Sequence, residues 1–249
     1  MSQKLRLDAI LEILQKQHYV SVKYLVDTLH YSNATINRDL NVLKQRNLIN
    51  RSYGGVELIT KSKLPALPFR YHFMKKEKRQ ICKIAAEQVC DGDTIFIDAT
   101  TTTQFMAQYL IGRKNLTVIT NNLSLCAFLS EHGINVICLG GRVIEAPSML
   151  YSDETAEFAS RYAANKMFFS SSSFSSDGRI KSHGYLPLVY AMMKNSDKIY
   201  YLADHEKSQI SAPKVVCDFG KVNAVISDYD FSKEVKAAFP DTEFFLAKN

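Results

Sequence analysis

The chain has 249 residues, 46% of them hydrophobic and 22% charged, a composition that excludes disordered, collagenous and fibrous proteins. Its net charge of +6 is uneven: residues 1–83 hold 16 lysines and arginines against 6 acids, and residues 84–249 hold 15 against 19. A basic N-terminal part followed by a mildly acidic one suits a polyanionic partner for the former.

No apolar run reaches the roughly 18 residues of a membrane span, and the N-terminus has no signal-peptide pattern. Five scattered cysteines form neither a CxxC pair nor a Cys/His cluster, so the expectation is a cytoplasmic protein with free thiols, no metal, no cofactor and no membrane partner. Much of the basic excess lies in residues 61–83, including Lys75, Lys76, Lys78 and Arg79. On its own such a run reads as a solvated linker or helix face.

In chain order, residues 4–15 place Leu7, Ile10, Leu11 and Leu14 at helical spacing. Ser21 is an N-cap for a second helix from Val22 to Leu29, with Val22, Leu25, Val26 and Leu29 on one face. After the turn His30-Tyr31, Ser32 caps a third helix with Ile36, Leu40 and Leu43 inward. Two short helices, a tight turn and a third helix make a helix-turn-helix pattern. Two short strands then flank Ser52-Tyr53-Gly54-Gly55, where the glycines permit the positive φ of a tight hairpin, a wing. The third helix turns Asn33, Thr35, Asn37, Arg38 and Asn41 outward, with Asp39 the one acid in 32–46. Such side chains hydrogen-bond base edges and phosphates in a major groove, whereas a merely solvated helix mixes Glu with Lys. The expected DNA-contacting residues are Ser32, Asn33, Thr35, Asn37, Arg38 and Asn41, with Arg51 and Tyr53 of the wing touching backbone or minor groove.

Arg6, Ile10, Leu11, Leu14, Val20, Ser21, Val22, Leu25, Ser32, Thr35, Ile36, Arg38, Asp39, Leu40, Leu43, Ile49, Arg51, Gly54 and Gly55 together resemble the winged-helix head of the DeoR family of bacterial transcription regulators. Two positions depart from that pattern. Asn37 stands where the family has arginine, an amide suited to adenine, and Tyr53 stands where it often has histidine.

Pro65 and Pro68 mark a linker, dividing the chain into a winged helix-turn-helix domain (1–60), a linker (61–75) and an α/β domain (76–249). A helix is expected around 75–90 with Ile81, Ile84, Ala85 and Val89 inward. Six β-rich runs follow, at 94–97, 116–119, 135–139, 167–169, 199–202 and 224–226, alternating with helical stretches at 103–111, 123–131, 155–163 and 185–195. Continuous apolar runs of this length fit buried parallel strands in an open α/β sheet. Ligands of such sheets sit beyond the strands' carboxyl ends. There the sequence places Asp98 and Thr100, Thr101, Thr102 and Thr103; Thr120 and Asn121; Gly140, Gly141 and Arg142; the serines 170–173; Asp204 and Lys207; and Asp228. Hydroxyls, amides and backbone N–H groups at helix starts suit an anion such as phosphate, with Lys207 and Arg142 as cations and Asp98 and Asp204 as acceptors for sugar hydroxyls. Singly, each loop also reads as a cap or a turn.

This second part resembles the DeoR-type effector domain through Gly92-Asp93, Ile95, Ile97, Asp98, Thr101, Thr102, Val118, Thr120, Asn121, Leu139, Gly140, Gly141, Ala191-Met192-Met193, Ala203-Asp204 and Lys207. The resemblance implies a fold like ribose-5-phosphate isomerase and coenzyme A transferases. It also implies a repressor of carbohydrate-metabolism genes that binds a double-stranded DNA operator as a homo-oligomer and is gated by a phosphorylated sugar or related metabolite. Departures are Thr100 for glycine, Asn165 for aspartate, a serine run for a glycine-containing loop, no acid in 183–187 and no glycine in 151–154. The alternatives are a sugar-phosphate isomerase or transferase using Asp98, Asp204, His205 and Glu206 for acid–base chemistry, and an architectural nucleic-acid binder without a ligand.

Overall fold

The computed structural model describes residues 3–17, 19–46, 48–52, 55–59, 70–71, 73–145 and 149–248. The chain divides into two compact units, Met1–Lys75 and Lys76–Asn249. The expected linker prolines, Pro65 and Pro68, lie outside the described residues, as do Tyr53 and Gly54.

The first unit runs α1 (Gln3–Gln17), β1 (Tyr19–Val20), α2 (Val22–Leu29), α3 (Asn33–Gln45), β2 (Ile49–Ser52) and β3 (Gly55–Leu58). Leu7, Ile10, Leu14, Leu25, Ile36, Leu40, Leu43, Ile49 and Val56 form its buried core. The Ser21 side chain accepts from the Tyr24 amide to start α2, and His30 ends it in the left-handed region at φ 57°. Ser32 starts α3 in the same way, accepting from the Thr35 amide. The wing is a three-stranded sheet of order β1-β3-β2. Its two-residue β1 is too short for any periodicity to reveal. Gly55 was expected to supply a positive φ; instead it pairs with Ser52 inside β3. A Cβ there would stand 2.5 Å from the Val20 carbonyl oxygen and 2.6 Å from the Tyr19 ring. Close approach of β1, not turn geometry, requires the glycine.

The second unit holds all but the first residue of α4 (Lys75–Glu87) and continues with β4 (Thr94–Ile97), a 3₁₀ turn (Thr103–Met106) leading into α5 (Ala107–Leu110), β5 (Thr117–Thr120), α6 (Leu123–Glu131) and β6 (Asn135–Cys138). A hairpin of β7 (Val143–Glu145) and β8 (Met149–Leu150), α7 (Asp153–Ala159), β9 (Ala164–Phe169), β10 (Ser173–Phe174), β11 (Arg179–Ser182) and α8 (Leu186–Lys194) come next. The chain ends with β12 (Ser196–Ala203), β13 (Lys214–Asp218), β14 (Ala224–Ser227), α9 (Lys233–Ala238) and β15 (Glu243–Leu246).

The main sheet has seven strands in the order β15-β14-β12-β9-β4-β5-β6, all paired in parallel. Burial on both faces explains why its strands read as unbroken apolar runs: Phe96, Ile119, Phe169, Tyr201 and Val225 sit in one core cluster. The six expected strands are present. The edge strand β15, the β7–β8 hairpin and the small antiparallel sheet β10-β11-β13 were not expected, because short edge strands carry weak patterns. Strand order reverses at β4: the chain moves from β4 outward through β5 and β6, then returns to place β9 on the other side of β4. The crevice outside the strands' carboxyl ends, the usual ligand position in such sheets, therefore falls between the β4 and β9 loops.

Candidate functional site

In the first unit, Ser32, Asn33, Arg38 and Asn41 are exposed, and Thr35, Asn37 and Arg51 are half-buried. The single acid of α3 leaves this face: Asp39 is fully buried and takes the Arg6 guanidinium through Nε at 2.7 Å and Nη2 at 3.1 Å. The Arg6 guanidinium also lies 5.2 Å from the Tyr31 ring centroid. With Asp39 inward, the exposed face of α3 presents amides, hydroxyls and a guanidinium and no carboxylate. Thr35 is tied to the cap, its Oγ1 2.9 Å from Ser32 Oγ. Arg51 reaches back from β2 to α3, donating to Asn41 Oδ1 at 2.6 Å and to Asn37 Oδ1.

In the second unit, the loops after β4 and β9 are knitted together at the reversal point. Asp98 is 3% exposed. Its Oδ2 accepts from the Ser170 amide at 2.9 Å. Its Oδ1 accepts from the Thr100 amide at 3.2 Å, Thr100 Oγ1 at 2.8 Å and Thr103 Oγ1 at 2.6 Å. Burial pushes the Asp98 carboxyl pKa up, against the pull of these hydrogen bonds. The carboxylate proposed as an acceptor for sugar hydroxyls is thus engaged in shaping its own loop.

Lys207, half-buried, donates to Ser170 Oγ at 3.0 Å and to the Ser171 carbonyl. A second lysine approaches from α4. Lys78, expected on a solvated face, is 3% exposed, with Nζ 3.5 Å from Thr101 Oγ1. It shares the inward stripe of α4 with Ile81, Cys82 and Ala85, a helical spacing that was legible in the sequence and outweighed there by the surrounding charges. Four buried polar atoms beyond the carboxyl ends of the adjacent strands β9, β4 and β5 lack a hydrogen-bond partner: Thr102 Oγ1, Asn121 Oδ1, Asn122 Nδ2 and, at the start of β10, Ser173 Oγ.

Models of known families match both units: the DeoR-like helix-turn-helix domain at residues 6–62 and the DeoR C terminal sensor domain at residues 74–229. The chain belongs to the DeoR family. It is 31% identical over 231 residues to the glycerol-3-phosphate regulon repressor of Escherichia coli, covering 92% of each chain. It is 30% identical to the transcriptional repressor GlcR of Bacillus subtilis, covering 92% of this chain and 89% of that one. A ribose 5 phosphate isomerase A from Neisseria gonorrhoeae overlays with a TM-score of 0.39 and 18% identity, over 53% of this chain and 52% of that one.

Two DeoR-family departures have structural counterparts. Thr100 is absent from the described non-glycine residues with positive φ, so its Cβ brings no backbone strain, and its hydroxyl folds back onto Asp98. Asn165 accepts from the Thr94 amide at 2.8 Å, a role an aspartate would share. Further along the same sheet edge, Thr120 Oγ1 accepts from the Asn122 amide, and Asn121 Nδ2 donates to the Leu150 carbonyl. Asp204 is buried, whereas Gly140, Gly141 and Arg142 are exposed. Gly141, at φ +147°, would drive a Cβ to 2.0 Å from Thr155 Oγ1. Gly141 and Arg142 line a cavity of about 750 Å³ with Ile144, Tyr151, Ser152, Asp153, Glu154 and Tyr185. Tyr185, in the segment without the family's acid, donates to Asp153 Oδ1.

Among the described residues no group of three His, Cys, Asp or Glu side chains gathers to hold a metal, and no helix is long and apolar enough to cross a membrane.

Proposed function

We propose that this DeoR-family chain is a repressor of carbohydrate-metabolism genes. It grips operator DNA through the exposed face of α3 as a dimer or higher oligomer, and it releases that grip when a phosphorylated sugar or related metabolite enters the crevice between the β4 and β9 loops. The observation that carries the ligand is the set of buried, unpartnered hydroxyl and amide atoms beyond the carboxyl ends of three adjacent strands, β9, β4 and β5, that include the strand-order reversal. Proteins rarely leave such atoms without partners unless something else supplies them. Lys207 and Lys78 bring the positive charge that a phosphate requires. Asp98 and Thr100 organise the loops rather than touch the metabolite. Arg142 and the cavity beside it lie at the outer end of the same edge. The Escherichia coli relative is a glycerol-3-phosphate regulon repressor, which supports an effector of this class.

Ligand and DNA communicate only if the ligand favours an arrangement of sensor or oligomer that misplaces the recognition helices. We assign the α/β unit no turnover; conversion of a sugar phosphate by the purified protein would revive the isomerase reading. The test begins by selecting a preferred duplex from a randomised library. Arg38→Ala should weaken binding to that duplex. Lys207→Ala should bind it like the parent and no longer release it when a panel of phosphorylated sugars is added. Undiminished binding by Arg38→Ala removes α3 from the DNA interface. A Lys207→Ala protein that still responds removes the crevice from sensing.

A further inference from the structure

Three asparagines stand one turn apart on the outer face of α3. Asn33, Asn37 and Asn41 follow the i, i+4 row of a helix, so their side chains form one stripe. Each amide carries a donor pair and an acceptor oxygen, and in this stripe every oxygen already accepts a hydrogen bond from the protein. Asn37 Nδ2 donates to Asn33 Oδ1 and, at 2.9 Å, to the Asn33 carbonyl. Arg51 takes the other two oxygens, donating through Nη2 to Asn37 Oδ1 and through Nη1 to Asn41 Oδ1 at 2.6 Å. The planar guanidinium holds both from two nitrogens of one rigid fork, a geometry that the single nitrogen of an ammonium does not reproduce.

We infer that Arg51 is a positioning residue for operator recognition: it clamps the asparagine stripe of α3, holding the Asn41 oxygen directly and the Asn33 oxygen through Asn37, so that Asn33 and Asn41 meet the groove chiefly through their N–H donors. The inference rests on the operator-binding reading above. An asparagine reads adenine with two atoms, its oxygen accepting from N6 and its nitrogen donating to N7. In the clamped stripe the Asn37 and Asn41 oxygens face a cation and the Asn33 oxygen faces the Asn37 amide. A row of donors beside positive charge matches guanine at both O6 and N7 and thymine at O4, and matches adenine only at N7, where the neighbouring N6 donor opposes it. Asn37, whose nitrogen and oxygen are both committed, supports the row and does not read a base. Its amide therefore acts inside the protein rather than on adenine. The wing's part in recognition is to set the hydrogen-bond polarity of α3.

The test compares the full-length parent with Arg51→Lys, Arg51→Leu and Asn41→Ala on duplexes selected from a randomised library. The base pair at which Asn41→Ala loses discrimination marks the one that Asn41 faces. The parent should prefer guanine or thymine at that position. Arg51→Lys and Arg51→Leu should each lose about tenfold of that preference, with adenine gaining, while Arg51→Lys keeps the parent's dependence of affinity on salt. If Arg51 were a phosphate contact, Arg51→Leu would lower the salt slope by about one and Arg51→Lys would restore it, with base preference untouched in both. That outcome overturns the clamp, as does an unshifted preference in Arg51→Lys alone if Arg51→Leu does not fold. Failure of the parent to enrich any duplex would remove the operator-binding reading itself, which separates the two failures.

Discussion

Replacing Asp98 with asparagine tests whether the crevice is built around a carboxylate. The side chain keeps its size but exchanges one acceptor oxygen for a donor nitrogen. Asp98 serves two backbone amides on opposite oxygens, Ser170 N at 2.9 Å on Oδ2 and Thr100 N at 3.2 Å on Oδ1. Hydroxyls of Thr100 and Thr103 can rotate to suit an amide; backbone N–H groups cannot. Whichever way the asparagine is turned, one buried backbone donor loses its acceptor and meets another donor. Such an orphan costs about 1–3 kcal/mol. A central loss of about 2 kcal/mol lowers the melting temperature of a unit this size by about 4–8 °C. Thermal unfolding of Asp98→Asn beside the parent at neutral pH, followed by circular dichroism, measures this.

The sign of the pH dependence follows from the raised carboxyl pKa. A folded pKa above the ordinary 3.8 means that the folded parent holds its proton more tightly than the unfolded chain. Its stability contribution is complete below that value and declines as pH rises through the folded one. The gap between parent and variant should therefore narrow on going from acidic to neutral pH. Equal melting temperatures at every pH would refute the claim that this carboxylate organises the two loops.

Three further outcomes are expected. Gly55→Ala should destabilise the first unit by about 1–3 kcal/mol, since its Cβ meets the Val20 carbonyl at 2.5 Å; denaturant unfolding measures the loss, and parental stability would mean that β1 is not held against β3. Ser32→Ala removes the cap of α3 and should cost about 1 kcal/mol by the same measurement; an unchanged midpoint would show that the cap contributes nothing. His205 has its pKa raised, chiefly by its hydrogen bond to Asp228. The stability from that pair is complete below 6.5 and disappears as pH rises through the folded value. The Asp228→Asn deficit should accordingly shrink from pH 6 toward pH 9, and a deficit constant across that range would place its origin in the fixed bond to the His205 amide.

Much of this protein was legible one segment at a time. Ser21 and Ser32 announce α2 and α3 because a helix start needs an acceptor for its free amides. The unbroken apolar run 94–97 announces a strand buried on both faces. Lys78 was misjudged because three neighbouring cations, Lys75, Lys76 and Arg79, hide its place in the apolar stripe with Ile81 and Ala85. Asn41 and Arg51 were each expected on the DNA face, yet nothing in their spacing says that one holds the other. Gly55 carries a requirement imposed by β1, which has no pattern of its own.

The order of residues determined the helix caps, the alternation of strands and helices, the family and the loops rich in hydroxyls and amides, since each of these depends on neighbours within a few positions. Tertiary structure alone decided that the sheet reverses beside β4, that Asp98 joins a loop 72 residues away, that Lys207 reaches Ser170 across 37 residues and that Arg51 occupies the oxygens of α3. Hydrogen bonds of that kind are chosen by how the sheet and the wing bring distant backbone together, and local pattern carries no record of the meeting.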